Sequence, residues 1–445
     1  MIDWTSDRVA EILGTRAPAG RPFSRVSTDT RTVENGDLFV ALVGERFDGH
    51  AFLADAAAQG ARGAVVRPGT AVPEGVVAFE VPDTLEALGR LARARRREIG
   101  GPVVAVTGTN GKTATKEMLA RVVGCRWAVH ATRGNLNNLV GVPLTLLAAP
   151  LTAEALVVEA GASIPGEIAR LRSIVEPTVG VITNVSSGHL EGFGSLDGVL
   201  TEKLSLVDGV PLAVVGAEPP ELGARARRLA RRALVAGTAA NADARPAAYG
   251  LDPDGKAHLT FEHVEVRLPL VGRHQVENAT IALAVGRELG VPPADAAAAL
   301  ASLTLPSGRC EVLRRGDLTV LHDAYNANPG SIAASLATVE AMRGGRPLVV
   351  VLGSMLELGP ASETLHAAVA EQVMAVEPSV VAVTGLFVPA FAQWAAALGD
   401  RLITGDDAAS LGERLAARLR GDEFVLVKGS RGVRLEQAIP FLVSE

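Results

Sequence analysis

Cysteine is scarce in this 445-residue sequence, and long apolar runs are missing altogether. The two cysteines, Cys125 and Cys310, lie far apart, so they supply neither a metal cage nor a disulfide framework. No segment offers about 18 uninterrupted apolar residues, which excludes a membrane-spanning helix. Residues 1–5 show neither the basic nor the apolar region of a secretory signal. We therefore expect a protein of the reducing cytoplasm.

Lysine is also rare. Arginine supplies 38 of the 43 basic residues, and the five lysines are Lys112, Lys116, Lys203, Lys256 and Lys428. Codon bias in a GC-rich genome is the simple explanation, but each remaining lysine raises the question whether arginine would serve there. The formal net charge of −6 excludes a molecule that attracts nucleic acid over its whole surface. Since aromatic residues make up only 4%, the cores must be built from Ala, Val and Leu.

The length exceeds the roughly 250–300 residues at which a single hydrophobic core stops growing, so two or three domains are expected. A hydrophobic content of 48% with 21% charged residues excludes wholesale disorder. The glycine–proline break at Gly100–Pro102 is a natural boundary. We predict three domains, over residues 1–98, 99–305 and 306–445.

The first block mixes short strands, predicted over 37–42 and 64–66, with helices predicted over 51–59 and 84–99. The second helix ends in an arginine cluster formed by Arg93, Arg95, Arg96 and Arg97. Charge runs of this kind usually form a solvated helix face, so we expect these arginines in solvent rather than in a binding patch.

The second and third blocks alternate buried strands with helices, which is typical of an α/β fold with a parallel sheet. Predicted strands of the second block cover 103–107, 155–158, 179–182 and 211–215, and helices cover 276–289 and about 293–303. Predicted strands of the third block cover 319–322, 348–352, 380–383 and 424–427, with helices of about 12–15 residues between them. The third block should therefore be a doubly wound, Rossmann-like domain with ligand sites at the carboxyl ends of its strands.

A glycine-rich turn follows the strand at 103–107 and reads Gly108-Thr109-Asn110-Gly111-Lys112-Thr113. A helix predicted from about 112 to 123 would direct backbone N–H groups and the positive end of its dipole at an anion. Lys112 would reach the β- and γ-phosphates of a nucleotide, and the Thr113 hydroxyl would bind Mg²⁺. Val106 stands where the first glycine of the longer Gly-x-x-x-x-Gly-Lys-Thr motif belongs, so an ordinary strand-to-helix turn is the alternative.

Three further polar residues follow or lie near buried strands of the second block. Glu159 ends one strand, where a carboxylate is costly to bury unless it is paired or binds a cation such as Mg²⁺. His189 follows another strand and is either a structural histidine or a ligand at the same sheet edge. Lys203 either points to solvent or carries a CO₂-derived carbamate that would be an anionic oxygen ligand. Lys116, in the helix after the phosphate loop, is either a surface lysine or functional.

Together these motifs resemble the Mur ligases, the ATP-dependent amide-forming enzymes of peptidoglycan precursor synthesis, over nearly the whole chain. The most discriminating stretches are Gly134–Asn138 and Tyr325–Pro329, which look different in related ligases. The remaining matches are Ser27–Arg31, Gly36–Leu42, Phe47–His50, Gly166–Ile168, His189–Phe193, Gly272–His274, Asn278, Gly308–Arg309 and Lys428–Arg431. The likeness is greatest to the member that adds D-alanyl-D-alanine to a UDP-N-acetylmuramoyl-tripeptide.

The resemblance implies a fold, cofactors and substrates. The N-terminal domain would be a small mixed α/β domain that binds the UDP end of the substrate, before a central ATPase domain and a C-terminal Rossmann-like domain. ATP and Mg²⁺ would be required, together with a carbamate on Lys203. The partners would be the UDP-linked tripeptide and D-alanyl-D-alanine, which meet through an acyl-phosphate intermediate. We expect a monomer that binds no nucleic acid.

The resemblance also implies roles for individual residues. The catalytic set would be Lys112, Glu159, His189 and Lys203, and the metal ligands Thr113, Glu159, His189 and carbamylated Lys203. ATP would contact Gly108, Thr109, Asn110, Gly111, Lys112, Thr113, Asn278, Arg309 and Asp323. The UDP end would contact Ser27, Asp29 and Arg31, and the muramoyl peptide Asn135, Asn137 and Asn138. The acceptor side would be shaped by Tyr325, Asn326, Asn328, Lys428 and Arg431.

Two departures from the family pattern concern fine contacts near the adenine and the peptide. Gln275 stands where the family usually has asparagine, and Ala162–Ile164 replace a stretch that often contains Asn-His. Three alternatives stay open: another Mur ligase, an amide ligase like folylpolyglutamate synthase, and a nucleotide-binding regulator without catalysis. The Tyr325–Pro329 stretch argues against the first two. The complete set of Lys112, Glu159, His189 and Lys203 argues against the third.

Overall fold

The computed structural model describes residues 4–44, 47–188 and 190–443. Contacts divide the chain into two compact units. The first consists of Met1–Ala105, Trp127–Ala162 and Gly166–Thr178, and the second of Val106–Arg126, Ser163–Pro165 and Val179–Glu445. In the described part of the chain, no helix is both long and apolar enough to cross a membrane.

The helices and strands follow one another in an α/β order. Residues 4–97 contain β1 (Trp4–Thr5), α1 (Ser6–Leu13), β2 (Pro22–Phe23), β3 (Val26–Ser27), β4 (Leu38–Val40), α2 (Leu53–Gln59), β5 (Gly63–Val66), β6 (Val77–Glu80) and α3 (Thr84–Arg97). Residues 103–235 contain β7 (Val103–Thr107), α4 (Lys112–Gly124), β8 (Val129–Ala131), α5 (Gly141–Leu147), β9 (Ala155–Glu159), α6 (Glu167–Val175), β10 (Val179–Ile182), α7 (Leu190–Phe193), α8 (Leu196–Leu204), β11 (Leu212–Val215), α9 (Glu221–Leu229) and β12 (Ala233–Val235).

The remainder begins with an antiparallel segment and ends in a second α/β array. Residues 248–300 contain β13 (Ala248–Leu251), β14 (Lys256–Phe261), β15 (Val264–Val271), α10 (His274–Glu288) and α11 (Pro293–Leu300). Residues 311–443 contain β16 (Glu311–Arg315), β17 (Leu318–Asp323), α12 (Pro329–Met342), β18 (Leu348–Leu352), α13 (Ser362–Ala375), β19 (Val380–Thr384), α14 (Phe387–Ala390), α15 (Ala395–Leu398), β20 (Leu402–Gly405), α16 (Ala408–Ala416), β21 (Phe424–Lys428) and α17 (Ile439–Val443).

In the first unit, β3-β4-β5-β6 form a parallel sheet buried on both faces. Leu38 and Val40 of β4 face a core shared with α1 and α3, whereas Phe39 faces a core shared with α2. Because side chains alternate along a strand, a strand buried on both faces reads as a continuous apolar run. The predicted strands and helices of this block are confirmed; three of them have shorter bounds, and β5 begins one residue earlier than predicted.

The expectation of a solvated arginine cluster at the end of α3 is wrong for two of its four members. Arg95 is only 3% exposed, and its Nη2 donates to the carbonyls of Ala149 and Pro150 at 2.8 and 2.9 Å. Arg96 donates to the carbonyls of Val175 and Glu176. These carbonyls lie at or just after the C-terminal ends of α5 and α6, which pack against α3. The guanidinium groups therefore supply hydrogen-bond donors to carbonyls that the helices themselves leave without a donor.

In the second unit, β10, β11 and β12 are parallel neighbours. The amide of Thr183 donates to the carbonyl of Thr107 at 3.0 Å, which places the end of β10 beside the end of β7. The strands predicted over 103–107, 179–182 and 211–215 are confirmed. The antiparallel sheet β13-β14-β15 was not predicted, although buried and exposed residues alternate along β14 and β15.

The C-terminal sheet has the order β16-β17-β21-β18-β19-β20, and all its pairings are parallel except β16 with β17. Alternate residues of β18 enter two cores. Leu348 and Val350 pack with α12 and α13, whereas Val349 packs with α16 and the C-terminal helix. The doubly wound architecture is therefore confirmed. The uniform helix length of 12–15 residues is wrong, because α14 and α15 have 4 residues each and α16 has 9.

Candidate active site

The phosphate loop joins the buried strand β7 to α4 and depends on two glycines. Gly108 has a φ of 145°, and a Cβ there would lie 2.0 Å from Thr183 Oγ1. Gly111 has a φ of 77°, and a Cβ there would lie 2.5 Å from Asn278 Oδ1. Lys112 Nζ donates to the carbonyls of Gly108 and Thr109 at 2.8 and 3.0 Å. Only glycine fits these two positions. The loop passes from the end of a strand to the start of a helix through a tight turn, which is the geometry of an anion site.

Polar residues that follow β10 hold this loop and were missed as site residues. Asn184 Oδ1 accepts from the amide of Asn110 at 3.1 Å, and the Thr183 hydroxyl donates to the carbonyl of Asn110 at 2.5 Å. Ser186 and Thr109 exchange two hydrogen bonds between side chain and main chain. A polar run directly after a buried strand was the available signal, because the carboxyl ends of neighbouring parallel strands meet at one sheet edge.

Asn278, predicted to contact adenine, is 4% exposed and lies against Gly111. Its Nδ2 donates to Gln275 Oε1 at 3.0 Å, and Gln275 Nε2 lies 3.1 Å from His274 Nε2. Gln275, which stands where the family usually has asparagine, is therefore hydrogen-bonded directly to Asn278, the residue predicted to contact adenine. A longer amide reaches one turn along α10 to this neighbour.

A network around Asp323 continues from His274. Cys310 Sγ lies 3.8 Å from His274 Nε2, and the Cys310 amide donates to Asp323 Oδ1 at 3.2 Å. Burial lowers the pKa of His274 and raises that of the Cys310 thiol well above the ordinary thiol value. Both groups are therefore uncharged at neutral pH. Contacts thus run without a break from the phosphate loop to Asp323, the predicted ribose ligand.

Lys428 is 2% exposed, and its amine donates hydrogen bonds within the protein. It donates to Asp323 Oδ2 at 2.5 Å and to the carbonyl of Asn326 at 3.0 Å. The hydroxyl of Ser335 on α12 donates to the same Asp323 oxygen at 2.7 Å. Lys428 therefore fixes the carboxylate of Asp323 and the turn at 323–326.

Tyr325, from the most discriminating stretch, lies between two arginines. The guanidinium carbon of Arg309 is 3.7 Å from the ring centroid, and that of Arg431 is 5.8 Å away. A guanidinium over an aromatic face is attracted by the ring and keeps its N–H groups available at its edges. Asn326 is exposed beside this stack, whereas Asn328 is only 5% exposed.

Two lysines of the second unit are buried rather than solvated. Lys203 is 1% exposed and its Nζ lies 5.6 Å from the ring centroid of Phe193, so the alternative that it points to solvent is wrong. Lys116 is 2% exposed and forms an ion pair with Glu117, so it is not a surface lysine.

In the first unit, Glu159 ends β9 and is 3% exposed. Its Oε1 accepts from Asn137 Nδ2 at 2.9 Å, and its amide donates to Thr132 Oγ1 at 3.0 Å. Asn138 Oδ1 accepts from the amide of Gly141 at 2.8 Å at the start of α5, and Asn135 is exposed. Of the three predicted peptide asparagines, Asn137 thus contacts the predicted metal ligand Glu159, whereas Asn138 caps the start of α5.

Two of the predicted metal ligands, Glu159 and Thr113, carry oxygen atoms of the kind that Mg²⁺ prefers. Glu159 offers a buried carboxylate, and in the second unit Thr113 offers a hydroxyl that is 3% exposed at the start of α4. Mg²⁺ prefers oxygen ligands and keeps several waters, so few protein groups suffice. Among the described residues no group of three or more His, Cys, Asp or Glu side chains forms a metal cluster. His189, also predicted as a ligand, lies outside the described residues.

The predicted UDP-recognition loop begins at Ser27, the last residue of β3. Ser27 is 6% exposed, and its hydroxyl donates to the carbonyl of Asp29 at 3.2 Å. Arg31 Nε and Nη2 donate to the two carboxylate oxygens of Asp29 at 2.9 and 2.6 Å. This pairing lowers the pKa of Asp29, and Asp29 also caps the short helical turn at 30–32. The side chain of Arg31 is 86% exposed.

Three family models match successive parts of the chain: the Mur ligase catalytic domain at residues 22–96, the Mur ligase middle domain at 106–286 and the Mur ligase glutamate ligase domain at 308–431. The UDP-N-acetylmuramoyl-tripeptide–D-alanyl-D-alanine ligase of Bacillus subtilis is 38% identical over 349 residues, covering 77% of this chain and 75% of that protein. The chain belongs to the Mur ligase family.

Solved structures agree with this assignment along the whole Mur ligase chain. A crystal structure of MurF from Acinetobacter baumannii superimposes with a TM-score of 0.90 at 30% identity, covering 100% of this chain and 99% of that one. MurF from Thermotoga maritima in complex with ADP gives a TM-score of 0.83 at 30% identity, covering 94% and 96% of the two chains. The predicted three-domain α/β architecture is confirmed by these superpositions.

Proposed function

We propose that this Mur ligase joins D-alanyl-D-alanine to the peptide carboxylate of UDP-N-acetylmuramoyl-tripeptide, with ATP converted to ADP and phosphate. The similarity to MurF along the whole chain, at a TM-score of 0.90, carries this proposal. It is supported by the phosphate loop, whose lysine and glycines have the geometry that a nucleotide needs. Since its nucleotide substrates are made inside the cell, we place the protein in the cytoplasm.

The chemistry requires activation of a carboxylate. A carboxylate does not react with an amine at neutral pH, because oxide is a very poor leaving group. Transfer of the γ-phosphoryl group of ATP to the carboxylate gives an acyl phosphate and ADP. The dipeptide amine then attacks the carbonyl carbon, and the tetrahedral intermediate expels inorganic phosphate as the amine loses its proton.

The protein holds charges and donors where the phosphoryl group transfers. Lys112 and the loop amides neutralise charge on the β- and γ-phosphates, and they are in place before the reaction begins. Bound Mg²⁺, for which Thr113 offers a hydroxyl ligand in this loop, would neutralise further phosphate charge. Asp323, fixed by Lys428 and Ser335, would receive the ribose hydroxyls. Excluding water from this site protects the acyl phosphate from hydrolysis.

We also propose that Lys203 carries a carbamate. Lys203 is 1% exposed, and the neutral form of a lysine amine is the one that attacks CO₂. The reaction forms an N–C bond, releases one proton and leaves an anionic oxygen pair. Arginine could not replace lysine in this reaction, because its guanidinium stays protonated.

Phosphate release tests the proposed activity. We expect ADP and phosphate only when ATP, the UDP-linked tripeptide and D-alanyl-D-alanine are present together. Lys112→Ala should abolish this release, whereas Lys256→Ala, an exposed lysine of β14, should leave it unchanged. Turnover with a different amino acid in place of the dipeptide would favour another Mur ligase, and turnover with a folate would favour folylpolyglutamate synthesis. Nucleotide binding without any turnover would indicate a regulator.

A further inference from the structure

Two asparagines from distant parts of the second unit form a reciprocal amide pair. Asn328 Nδ2 donates to Asn110 Oδ1 at 2.7 Å, and Asn110 Nδ2 donates back to Asn328 Oδ1 at 3.3 Å. Asn328 is 5% exposed. When the half-buried amide of Asn110 moves away, the buried amide of Asn328 loses hydrogen bonds that water replaces poorly. The pair therefore fixes the relative position of the two loops that carry it.

On one side of the pair lies the centre of the phosphate loop. Asn110 Nδ2 also donates to Ser186 Oγ at 3.1 Å, and the Asn110 amide donates to Asn184 Oδ1 at 3.1 Å. Its carbonyl accepts from Thr183 and Asn184. Asn110 directly precedes Gly111 and Lys112, so its position sets that of the loop amides and of the lysine.

On the other side lies the start of α12. Asn328 Oδ1 accepts from the amide of Ser331 at 2.9 Å, and Ser331 Oγ accepts from the Asn328 amide at 3.0 Å, which completes a capping box. One turn further along α12, Ser335 donates to Asp323. The first two turns of α12 therefore contact the phosphate loop through Asn328 and the predicted ribose carboxylate through Ser335.

We propose that Asn110 and Asn328 are positioning residues that keep the phosphate loop in register with residues 323–328, the loop predicted to face the acceptor. The side chain of Asn328 is used in the cap and the pair, so it acts through Asn110. Its effect on catalysis rests on the proposed function, since the reaction brings phosphoryl group and acceptor together. A ligand that displaces either the phosphate loop or residues 323–328 should therefore displace the other segment as well, because the amide pair joins them.

The variant Asn328→Ser separates the two roles of this side chain. Serine is as good an N-cap as asparagine, so α12 keeps its cap, but the shorter side chain cannot reach Asn110. The control is Asp407→Ser. Asp407 is exposed and forms the same capping box with Ser410 at the start of α16. Both variants keep a hydroxyl cap, and only the first one removes the amide pair.

Amide hydrogen exchange of the ligand-free protein tests the pair without any assumption about substrates. In Asn328→Ser, we expect exchange over residues 107–113 to accelerate about fivefold or more, since each lost hydrogen bond contributes about 1 kcal/mol. Asp407→Ser should leave this segment unchanged. Asn110→Ala should accelerate the same segment, and the double variant should add little to either single change. Unchanged exchange in Asn328→Ser, or fully additive effects, would overturn the proposal.

Steady-state kinetics tests whether the pair positions reacting groups. We expect Asn328→Ser to lower kcat by about tenfold to a hundredfold, as misplacement by about 1 Å does, with the KM for the UDP-linked substrate nearly unchanged. Faster exchange with unaltered kcat and KM values would also overturn the proposal, because the pair would then be structural only. If the wild-type protein shows no turnover, the proposed function is wrong, and the exchange experiment still decides whether the pair couples the loops.

Discussion

Replacing Arg95 by alanine should destabilise the first unit strongly. The guanidinium is 3% exposed and donates to the carbonyls of Ala149 and Pro150 and to Glu98 Oε2 at 2.7 Å. Removing one partner of a buried ionic cluster costs about 3–5 kcal/mol. Because the Glu98 side chain is 28% exposed, the lower end applies, and we expect a loss of about 3 kcal/mol.

Thermal unfolding followed by calorimetry measures this loss. For a unit of roughly 150–250 residues, about 3 kcal/mol corresponds to a decrease in Tm of about 6–12 °C. The matched control is Arg97→Ala from the same cluster. Its side chain is 60% exposed and pairs with Glu176 at the surface, so we expect a loss of about 0–1 kcal/mol. Equal Tm values for the two variants would refute the assignment of Arg95 to the interior.

Two further results are expected. Lys203→Ala should lose nearly all phosphate release, and formate or acetate should restore part of it by supplying the missing carboxylate; full activity of this variant would exclude the carbamate, and Lys256→Ala serves as the control. In the native protein a thiol reagent at pH 8 should label Cys125, which is exposed, and spare Cys310. Burial raises both thiol pKa values, that of Cys310 far more, so the reactive thiolate of Cys310 is nearly absent; equal labelling of the two thiols would contradict this.

Local patterns in the sequence were sufficient for the main elements of the fold. The continuous apolar run of β7, the two glycines and the following helix predicted the phosphate loop, because only glycine tolerates its φ values and close approaches. The C-terminal strands were likewise predicted from runs that are buried on both faces. The antiparallel sheet over 248–271 was missed, although buried and exposed residues alternate along β14 and β15; β13 has no buried residue and shows no such pattern.

The environment of charged side chains was predicted poorly. The arginine cluster has the composition of a solvated face, and nothing local reveals that Arg95 and Arg96 complete the ends of helices 50 or more residues away. The same holds for Lys116 and Lys203, where the sequence left solvent exposure open. Whether a charge is buried depends on what packs over it, and that is a property of distant segments.

The sequence by itself determined the α/β class, the phosphate loop and the family resemblance, because these rest on neighbouring residues whose sterics and periodicity act locally. Only the tertiary structure decided which side chains meet across the chain. Asn110 and Asn328 are separated by 218 positions, and Lys428 reaches Asp323 over 105. Such contacts depend on the packing of whole strands and helices, which brings the carboxyl ends of parallel strands together. The five lysines therefore differ in their burial and in their interaction partners, and neither property can be read from their positions in the sequence.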